Sequence, residues 1–474
     1  CYAPNVVNGP TSAAISALGG NVISDPFGYK AATDQDPTNE ISNSGFSAQV
    51  DYDTALGTVT YIGSLRKQSL VSNADADFTN ALLTNSNLLD YDIDTFTHEL
   101  RIAGSRDKLD YLAGIFYFDE EVDLKADILY GPQFQAYADL LAGGPGTFAG
   151  VEQLLGLSPG TIFAANTGST EFFTQENTSF SLFGQVDYAL TDRLTATLGL
   201  AYIDDQKDVT GRTVNTDVFS STDLAAAFNN PIAVQALAGA SVADITLGQV
   251  AAGAVPGVDL ATYQALLGGA ALGDPTSVAT VAAIQAGVQA GTASAIAGQF
   301  APLQFLPPFV AFPNAVENGS TSDDKVTVNA RLAYDLNDNI NLYGSYATGY
   351  KASSWNLTRD SSFFAADAAA LGTAGLIPNN RTAGTRFAGP EETTVFELGA
   401  KLVYPSFTLN VAIFDQTIEG FQSTIFSGTG FVLANAGEQS TTGVEFDALW
   451  APTDNLELTL AGILQDPSYD DLPE

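Results

Sequence analysis

The stretch KVTVNARLAYDLNDNINLYGSYATGYKASSWN, Lys325 to Asn356, decides the fold. Two runs that alternate polar and apolar residues flank an Asp/Asn-rich turn, the signature of an antiparallel hairpin. Val326, Val328, Ala330, Leu332 and Tyr334 share one face, and Lys325, Thr327, Asn329, Arg331 and Asp335 share the other. In a soluble sandwich the apolar row would be the core. In a membrane barrel it is the outside, against lipid.

The rest of the chain favours the second reading, because the hairpin recurs with one kind of connection at each end. Six pairs of alternating segments are expected: Gly45–Tyr52 with Thr58–Arg66, Thr95–Gly104 with Leu109–Asp119, Asn177–Tyr188 with Leu194–Ile203, the opening hairpin, Thr393–Val403 with Phe407–Ile418, and Gln439–Trp450 with Leu456–Ile463. Each turns through a short segment (DTALG, SRDK, ALTDR, DLNDN, YPS, APTDN) rich in residues that tolerate turn dihedrals. Between hairpins the connections are mostly long: Lys67–Asp94, Glu121–Glu176, Asp204–Asp323 and Lys351–Glu392, with a briefer one at Glu419–Glu438. Short turns at one end and long loops at the other are what a transmembrane barrel shows.

The faces repeat too. Phe180, Leu182, Val186 and Tyr188 align with Leu194, Ala196, Leu198, Leu200 and Tyr202, opposite Ser179, Ser181, Gln185 and Asp187. A tilted strand needs about 9–11 residues to cross a bilayer, and these runs are of that order. Tyr188, Tyr334 and Trp450 lie on the apolar face close to short turns, and Tyr202 at the far end of its strand, so the four are expected to form interfacial girdles. On the opposite, lumen-facing rows fall Glu99, Arg101, Lys325, Asn329, Arg331, Glu397, Lys401, Glu445 and Asp447.

Composition removes several alternatives. Acidic residues number 54 against 17 basic, a formal charge of −37, which argues against a nucleic-acid partner. One cysteine, Cys1, and one histidine, His98, leave little for sulfur or imidazole chemistry. Cys1 precedes Tyr2-Ala3-Pro4 and is read as the start of a fragment rather than a lipidated residue. His98 shares the apolar face of Phe96, Leu100 and Ile102, so no catalytic or metal role is expected of it, and the chain is read as no enzyme with no cofactor. The uncharged run Pro275–Val316 and the segment Ala136–Gly160 are expected to be Ala-rich helical insertions in loops, too weakly apolar to span a membrane. The prolines of Pro302–Pro313 exclude a regular helix there.

The segments THELRIAGSRDKLDYLAGIFYFDEE (Thr97–Glu121), NLYGSYATGYKASSWN, FELGAK and NAGEQSTTGVEFDALWAPTDNLELTLAG, in that order, resemble the barrel of TonB-dependent outer-membrane receptors of Gram-negative bacteria. The resemblance implies a barrel of about 22 strands enclosing an N-terminal plug. About twelve strands are counted here, so the expected fold is all-β: an incomplete antiparallel transmembrane barrel with long extracellular loops. The expected organisation is an irregular segment over 1–44, a partial barrel over 45–466 and the start of a further loop over 467–474. The resemblance also implies an outer-membrane location, contact with lipid and lipopolysaccharide, a TonB–ExbB–ExbD partner acting through the plug, and import of a scarce ligand such as a ferric siderophore. A plug-less porin-like channel, uptake of oligosaccharide or cobalamin, and a secreted adhesin are the alternatives.

Two loop features carry candidate chemistry. Lys351, Arg359, Arg381 and Arg386, beside Tyr350 and Trp355, form a locally basic group in an acidic chain, suited to an anionic chelate or equally to lipopolysaccharide phosphates. Asp90, Asp92 and Asp94, and Asp204, Asp205 and Asp208, offer oxygen ligands of the kind calcium takes, without EF-hand order; solvated acidic faces are the plainer reading.

Overall fold

The computed structural model describes residues 9–23, 25, 27–301, 304, 311–358, 365–376, 386–426 and 431–471. The strands are β1 (Thr38–Thr54), β2 (Gly57–Asn73), β3 (Thr84–Arg106), β4 (Leu109–Tyr130), β5 (Gly168–Ala189), β6 (Leu194–Asn215), β7 (Ser320–Asn337), β8 (Ile340–Lys351), β9 (Ser354–Trp355), β10 (Phe387–Ala388), β11 (Glu391–Tyr404), β12 (Phe407–Glu419), β13 (Gln422–Phe426), β14 (Phe431–Asn435), β15 (Glu438–Thr453) and β16 (Leu456–Asp471). Twelve of them form one antiparallel meander in the order β1-β2-β3-β4-β5-β6-β7-β8-β11-β12-β15-β16, and the other four make two small ribbons in the loops. All six expected hairpins are present, and the twelve-stranded sheet does not close on itself among the described residues.

Register confirms the two faces. Leu100, Ile115, Leu182, Tyr202 and Val326 lie in one row across β3–β7. Leu398, Ile413, Val444 and Leu464 continue the apolar face across β11–β16. These side chains are solvent-exposed, Leu398 by 69% and Leu464 by 74%, and large hydrophobics are tolerated so exposed over a whole sheet only where hydrocarbon covers them. Tyr188, Tyr202, Tyr334 and Trp450 all stand on this face.

The strands differ from the expectation in length. β4 runs to Tyr130 and β6 to Asn215, well past the ends read from alternation, and β3 begins at Thr84. The cause is a change of phase. On β4 the apolar residues of the outer row are Tyr111, Ala113, Ile115 and Tyr117, but beyond Glu121 the apolar residues Val122, Leu124, Ala126, Ile128 and Tyr130 are buried on the inner face, and Leu129 alone is apolar on the outer row. No bulge intervenes between Ser86 and Arg106 of β3 or along the β4–β5 pairing, so the side-chain pattern inverts while the backbone ladder continues. Below the change the strand's outer face meets lipid; above it, the outer face meets water and the inner face packs under the loops. The lipid-facing segments Leu109–Tyr117, Phe180–Tyr188, Leu194–Tyr202 and Val326–Tyr334 have the length a tilted span requires.

Edges of the assigned segments also shift. The segment read as irregular over 1–44 contains α1 (Pro10–Ala17) and the first seven residues of β1, whose Asn- and Ser-rich sequence carries no apolar alternation, and β16 continues to Asp471. The helical insertions appear as α2 (Phe134–Ala142) and α3 (Thr147–Leu155), broken at glycines 143, 144 and 146 with φ of +145°, +122° and +87°, and as α4 (Leu224–Phe228), α5 (Pro231–Ala238), α6 (Val242–Ala251), α7 (Leu260–Ala271) and α8 (Pro275–Phe300). Asp223, Asn230, Ser241, Asp259 and Asp274 each cap the helix that follows by accepting from its third backbone N–H. No single described helix is long and apolar enough to cross a membrane; α5 with α6 passes by length and composition, but bent by 68°. Instead α2 to α5 and the end of α8 share a core of phenylalanines, among them Phe134, Phe148, Phe219, Phe228 and Phe300, with Leu83 and Tyr130 from the strand tips, while α6, α7 and the start of α8 pack around Val250, Tyr263 and Val281.

Nitroxide labels at Ile115 and Leu124 test the inversion on one strand. In lipid vesicles the first is expected to collide freely with membrane-dissolved oxygen and the second to be shielded from both oxygen and water-soluble relaxants; equal oxygen collision at the two sites contradicts it.

Candidate functional site

The loops of β8 and β6 meet over the inner face of β6 and β7. Beyond Lys351 the chain crosses that face: Lys207 Nζ donates to the Ser353 carbonyl at 2.8 Å, Ser353 N donates to Asp323 Oδ2 at 3.0 Å, and Trp355 Nε1 donates to Thr321 Oγ1 at 3.1 Å. Burial pushes the Lys207 ammonium down, against Asp205 and Asp323, which pull it up. Trp355 stacks on Phe312 (5.7 Å, 21°) and packs against Phe387 at 5.0 Å. Phe312 is held by paired backbone bonds to Gly211, and a Cβ at Gly211 would come within 2.6 Å of its ring, so only glycine lets the ring lie there.

Arg386 fills the middle of this junction. It is 1% exposed, its guanidinium lies 4.1 Å over the Phe312 ring, and Nη2 meets Glu317 Oε2 at 2.8 Å. Burial pushes its pKa down to about 10, with the Glu317 carboxylate opposing the shift. The expectation that Arg386 offers an exposed cation is therefore corrected: its charge is committed to Glu317, a residue 69 positions earlier that sequence reading had no means of pairing with it. Lys351 remains exposed, 3.5 Å from Glu391, and Tyr350 stands opposite Glu392, its hydroxyl buried. Arg359 and Arg381 lie outside the described residues. The structure thus brings Tyr350, Lys351, Trp355 and Arg386 to one junction, with a single accessible cation among them.

On the polar face lower down, Tyr343 organises the charged residues. Its hydroxyl donates to Glu397 Oε1 at 2.6 Å, Arg331 lies 4.3 Å over its ring, and the Lys401 ammonium is 5.7 Å from the ring centre. Elsewhere Arg101 pairs with Glu99 at 2.9 Å and Lys325 pairs with Glu392. Asn329 faces Gly199 and Ala347, Glu445 faces Ala412, and Asp447 faces Asn410. Alternation found these rows, but Tyr343, the residue that joins three of them, was not singled out because a tyrosine in an apolar-looking run gives no sign of its face.

Neither expected acidic cluster converges. Asp90, Asp92 and Asp94 are spread along β3, and Asp205 points to the opposite face from Asp204 and Asp208. Among the described residues, the three carboxylates that do come within 4.8 Å of one another are Asp34, from the segment between α1 and β1, and Asp75 and Asp77, from the loop between β2 and β3. Burial pushes Asp77 up to about 6; Thr79 opposes this and Asp75 adds to it. Asp34 is raised by burial and by Asp75.

Arg386→Ala leaves Glu317 buried without its cation and is expected to cost about 3–5 kcal/mol locally, whereas Arg386→Met with Glu317→Leu restores most of it; limited proteolysis of the extracellular loops reads both. Asp77 is more easily protonated in the fold than in the unfolded chain, so its stabilising contribution is complete below about pH 4 and is lost as pH rises through about 6. Asp77→Asn should then slow hydrogen exchange over residues 74–83 at neutral pH by about 1 kcal/mol, discounted for partial exposure, with no gain in acid.

Comparison with known proteins places this architecture. The family model for the TonB dependent receptor-like β-barrel matches residues 2–241 and 304–471. The pesticin receptors of Yersinia enterocolitica and Yersinia pestis are 30% and 29% identical over 136 residues, 28% of this chain and 17% of theirs. The solved ferric yersiniabactin uptake receptor of Yersinia pestis superposes with a TM-score of 0.53 at 14% identity, over 92% of this chain and 44% of that one. The chain therefore spans less than half the length of these relatives. With a family match over most of its length and a lipid-facing antiparallel sheet to carry it, the chain belongs to the TonB-dependent receptor-like β-barrel family of the outer membrane.

Proposed function

We propose that the chain is the barrel part of a receptor that binds a ferric siderophore on its extracellular side and imports it with energy supplied through TonB. The observation that carries this reading is family membership joined to the built-up extracellular side, where strands rise past the membrane and loops fold into a phenylalanine-cored cap. The names of the relatives, a ferric yersiniabactin uptake receptor and pesticin receptors, support a ferric chelate as the cargo class. The role is transport, not catalysis.

Ligand contact is assigned to Tyr350, Lys351 and Trp355 with Arg359 and Arg381, where the loop after β8 crosses the inner face. Arg386 serves this group by position: its pair with Glu317 fixes the loop at one end of the basic segment. Cations there suit an anionic chelate by charge and by forked hydrogen bonding to carboxylate oxygens.

Uptake of radiolabelled ferric siderophores by cells carrying the complete protein tests the reading. Uptake is expected to fall at least about tenfold without TonB, as for any import driven through a partner, and to weaken selectively for anionic chelates when Arg359 and Arg381 become alanine. Uptake that persists without TonB points to a passive channel instead.

A further inference from the structure

Strands β7 and β8 part early. Their ladder stops at Asn329 and Ala347, although β7 stays paired with β6 as far as Ser320 and β8 with β11 as far as Lys351. Every other pairing in the large sheet continues upward to the end of at least one partner strand. The two chains nevertheless keep their register where the backbone bonds end. Val328 N donates to Thr348 Oγ1 at 2.9 Å, Ser353 N to Asp323 Oδ2 at 3.0 Å, and Trp355 Nε1 to Thr321 Oγ1 at 3.1 Å. Each of these bonds joins two residues that a continued ladder would set opposite one another. Side chains thus span, position for position, a seam that backbone groups have left.

Charge and a misplaced ring hold the seam apart. Continued pairing would put Lys325 directly opposite Lys351 on the polar face, and like charges so placed weaken a sheet. Apart, each has a carboxylate of its own: Lys325 pairs with Glu392, and Lys351 lies 3.5 Å from Glu391. Tyr350, which would face Val326, has its hydroxyl buried with no hydrogen-bond partner, within electrostatic reach of Asp204, Asp205, Asp323 and Asp324 on β6 and β7. The parting begins one step below Val326, the partner of Tyr202, so it lies in the upper part of the sheet, where backbone groups facing a gap can meet water as they cannot in mid-bilayer.

We propose that the upper β7–β8 seam is a two-state zipper, spread as it stands here or closed by backbone pairing of Lys325–Val328 with Thr348–Lys351. Closing needs no slip, because register is already kept, and it leaves Ser353 beside Asp323 and Trp355 beside Thr321. It gains backbone hydrogen bonds, gives up the Lys325–Glu392 pair and brings two ammonium groups together. These opposing terms are of similar size, so the charge at position 325 sets the balance. Closing also draws the top of β8 toward β7, and with it Tyr350 and Lys351. The spacing of the ligand-contact residues then follows the state of the seam; that last link rests on the function proposed above, and the zipper itself does not.

In the complete protein, made cysteine-free and placed in lipid vesicles, Thr327→Cys with Gly349→Cys reports the closed state. The two positions would then be directly opposed without bonding each other's backbone, the close kind of pair that a disulfide can join. A Cβ at Gly349 meets only Thr393, at 3.4 Å. Asn329→Cys with Ala347→Cys, at the last pair of the ladder, is the reference. Under a mild oxidant the upper pair is expected to cross-link at least about fivefold more slowly than the reference. Lys325→Glu, which sets a carboxylate opposite Lys351 and against Glu392, should bring the two rates within about twofold, while Lys325→Arg should leave them apart. Without any cysteine, amides of residues 326–328 and 348–350 are expected to exchange hydrogen at least about fivefold more slowly in Lys325→Glu than in the unaltered protein. Heat-modifiable migration on gels verifies that each barrel is folded. Equal cross-linking of the two pairs in the unaltered protein overturns the proposal, as does indifference of both cross-linking and exchange to Lys325→Glu. Ferric uptake is read in a separate assay, so a negative result here leaves that reading standing.

Discussion

A backbone amide has no hydrogen-bond partner in hydrocarbon, and the rest of this structure follows from that constraint. Within the bilayer every N–H and C=O must be paired by the protein, so the chain crosses as strands laddered to both neighbours, joined by turns that never stray into lipid. Five of the six hairpins turn through only two residues between strands. The same constraint bears on β1 and β16, each paired on one side only among the described residues. A closed ring is how an antiparallel sheet removes such edges.

Backbone pairing dictates nothing about which face is apolar; the solvent does. This explains how one strand can be inside-out along part of its length. From Tyr111 to Tyr117, β4 presents apolar residues outward as well as Leu112 and Phe116 inward, and from Val122 to Tyr130 its buried apolar residues all face inward. The first arrangement is stable only against acyl chains, and the second only beneath a cap. The cap's phenylalanine core exists because strand tips extend far enough to receive it: Tyr130 ends β4 and stacks on Phe134 at 4.3 Å at the start of α2. Arg386 and Glu317 do the corresponding job elsewhere, where one buried ion pair joins the loop after β6 to the loop after β8.

What was legible in the sequence was whatever depends on a single uninterrupted period. The hairpins and the apolar and polar faces of the sheet, with the side on which Tyr188, Tyr202, Tyr334 and Trp450 stand, all come from strict alternation across about nine residues. The extensions of β3 to β6 were not legible, because alternation scored against one face reads a phase inversion as the end of a strand. The helices around Ala136–Gly160 and after Pro275 were visible in composition, while α4 to α7 were merged into one insertion although each begins with its own Asp, Asn or Ser cap. Least accessible were pairings across long stretches of chain. Arg386 looked like an available cation until Glu317 and Phe312 were set beside it, and the Asp34, Asp75 and Asp77 group needed two segments 41 residues apart to meet.

The charge of the chain then acquires a location. A formal −37 would be a handicap at the surface of an anionic leaflet if spread evenly, since headgroup phosphates repel carboxylates. The register sets part of it on the outer face of β3 to β6 in a band just above the belt, with carboxylates directly opposite one another across four strands. Such an arrangement is unfavourable in isolation, and it is held in register by the unbroken backbone ladder that runs through it.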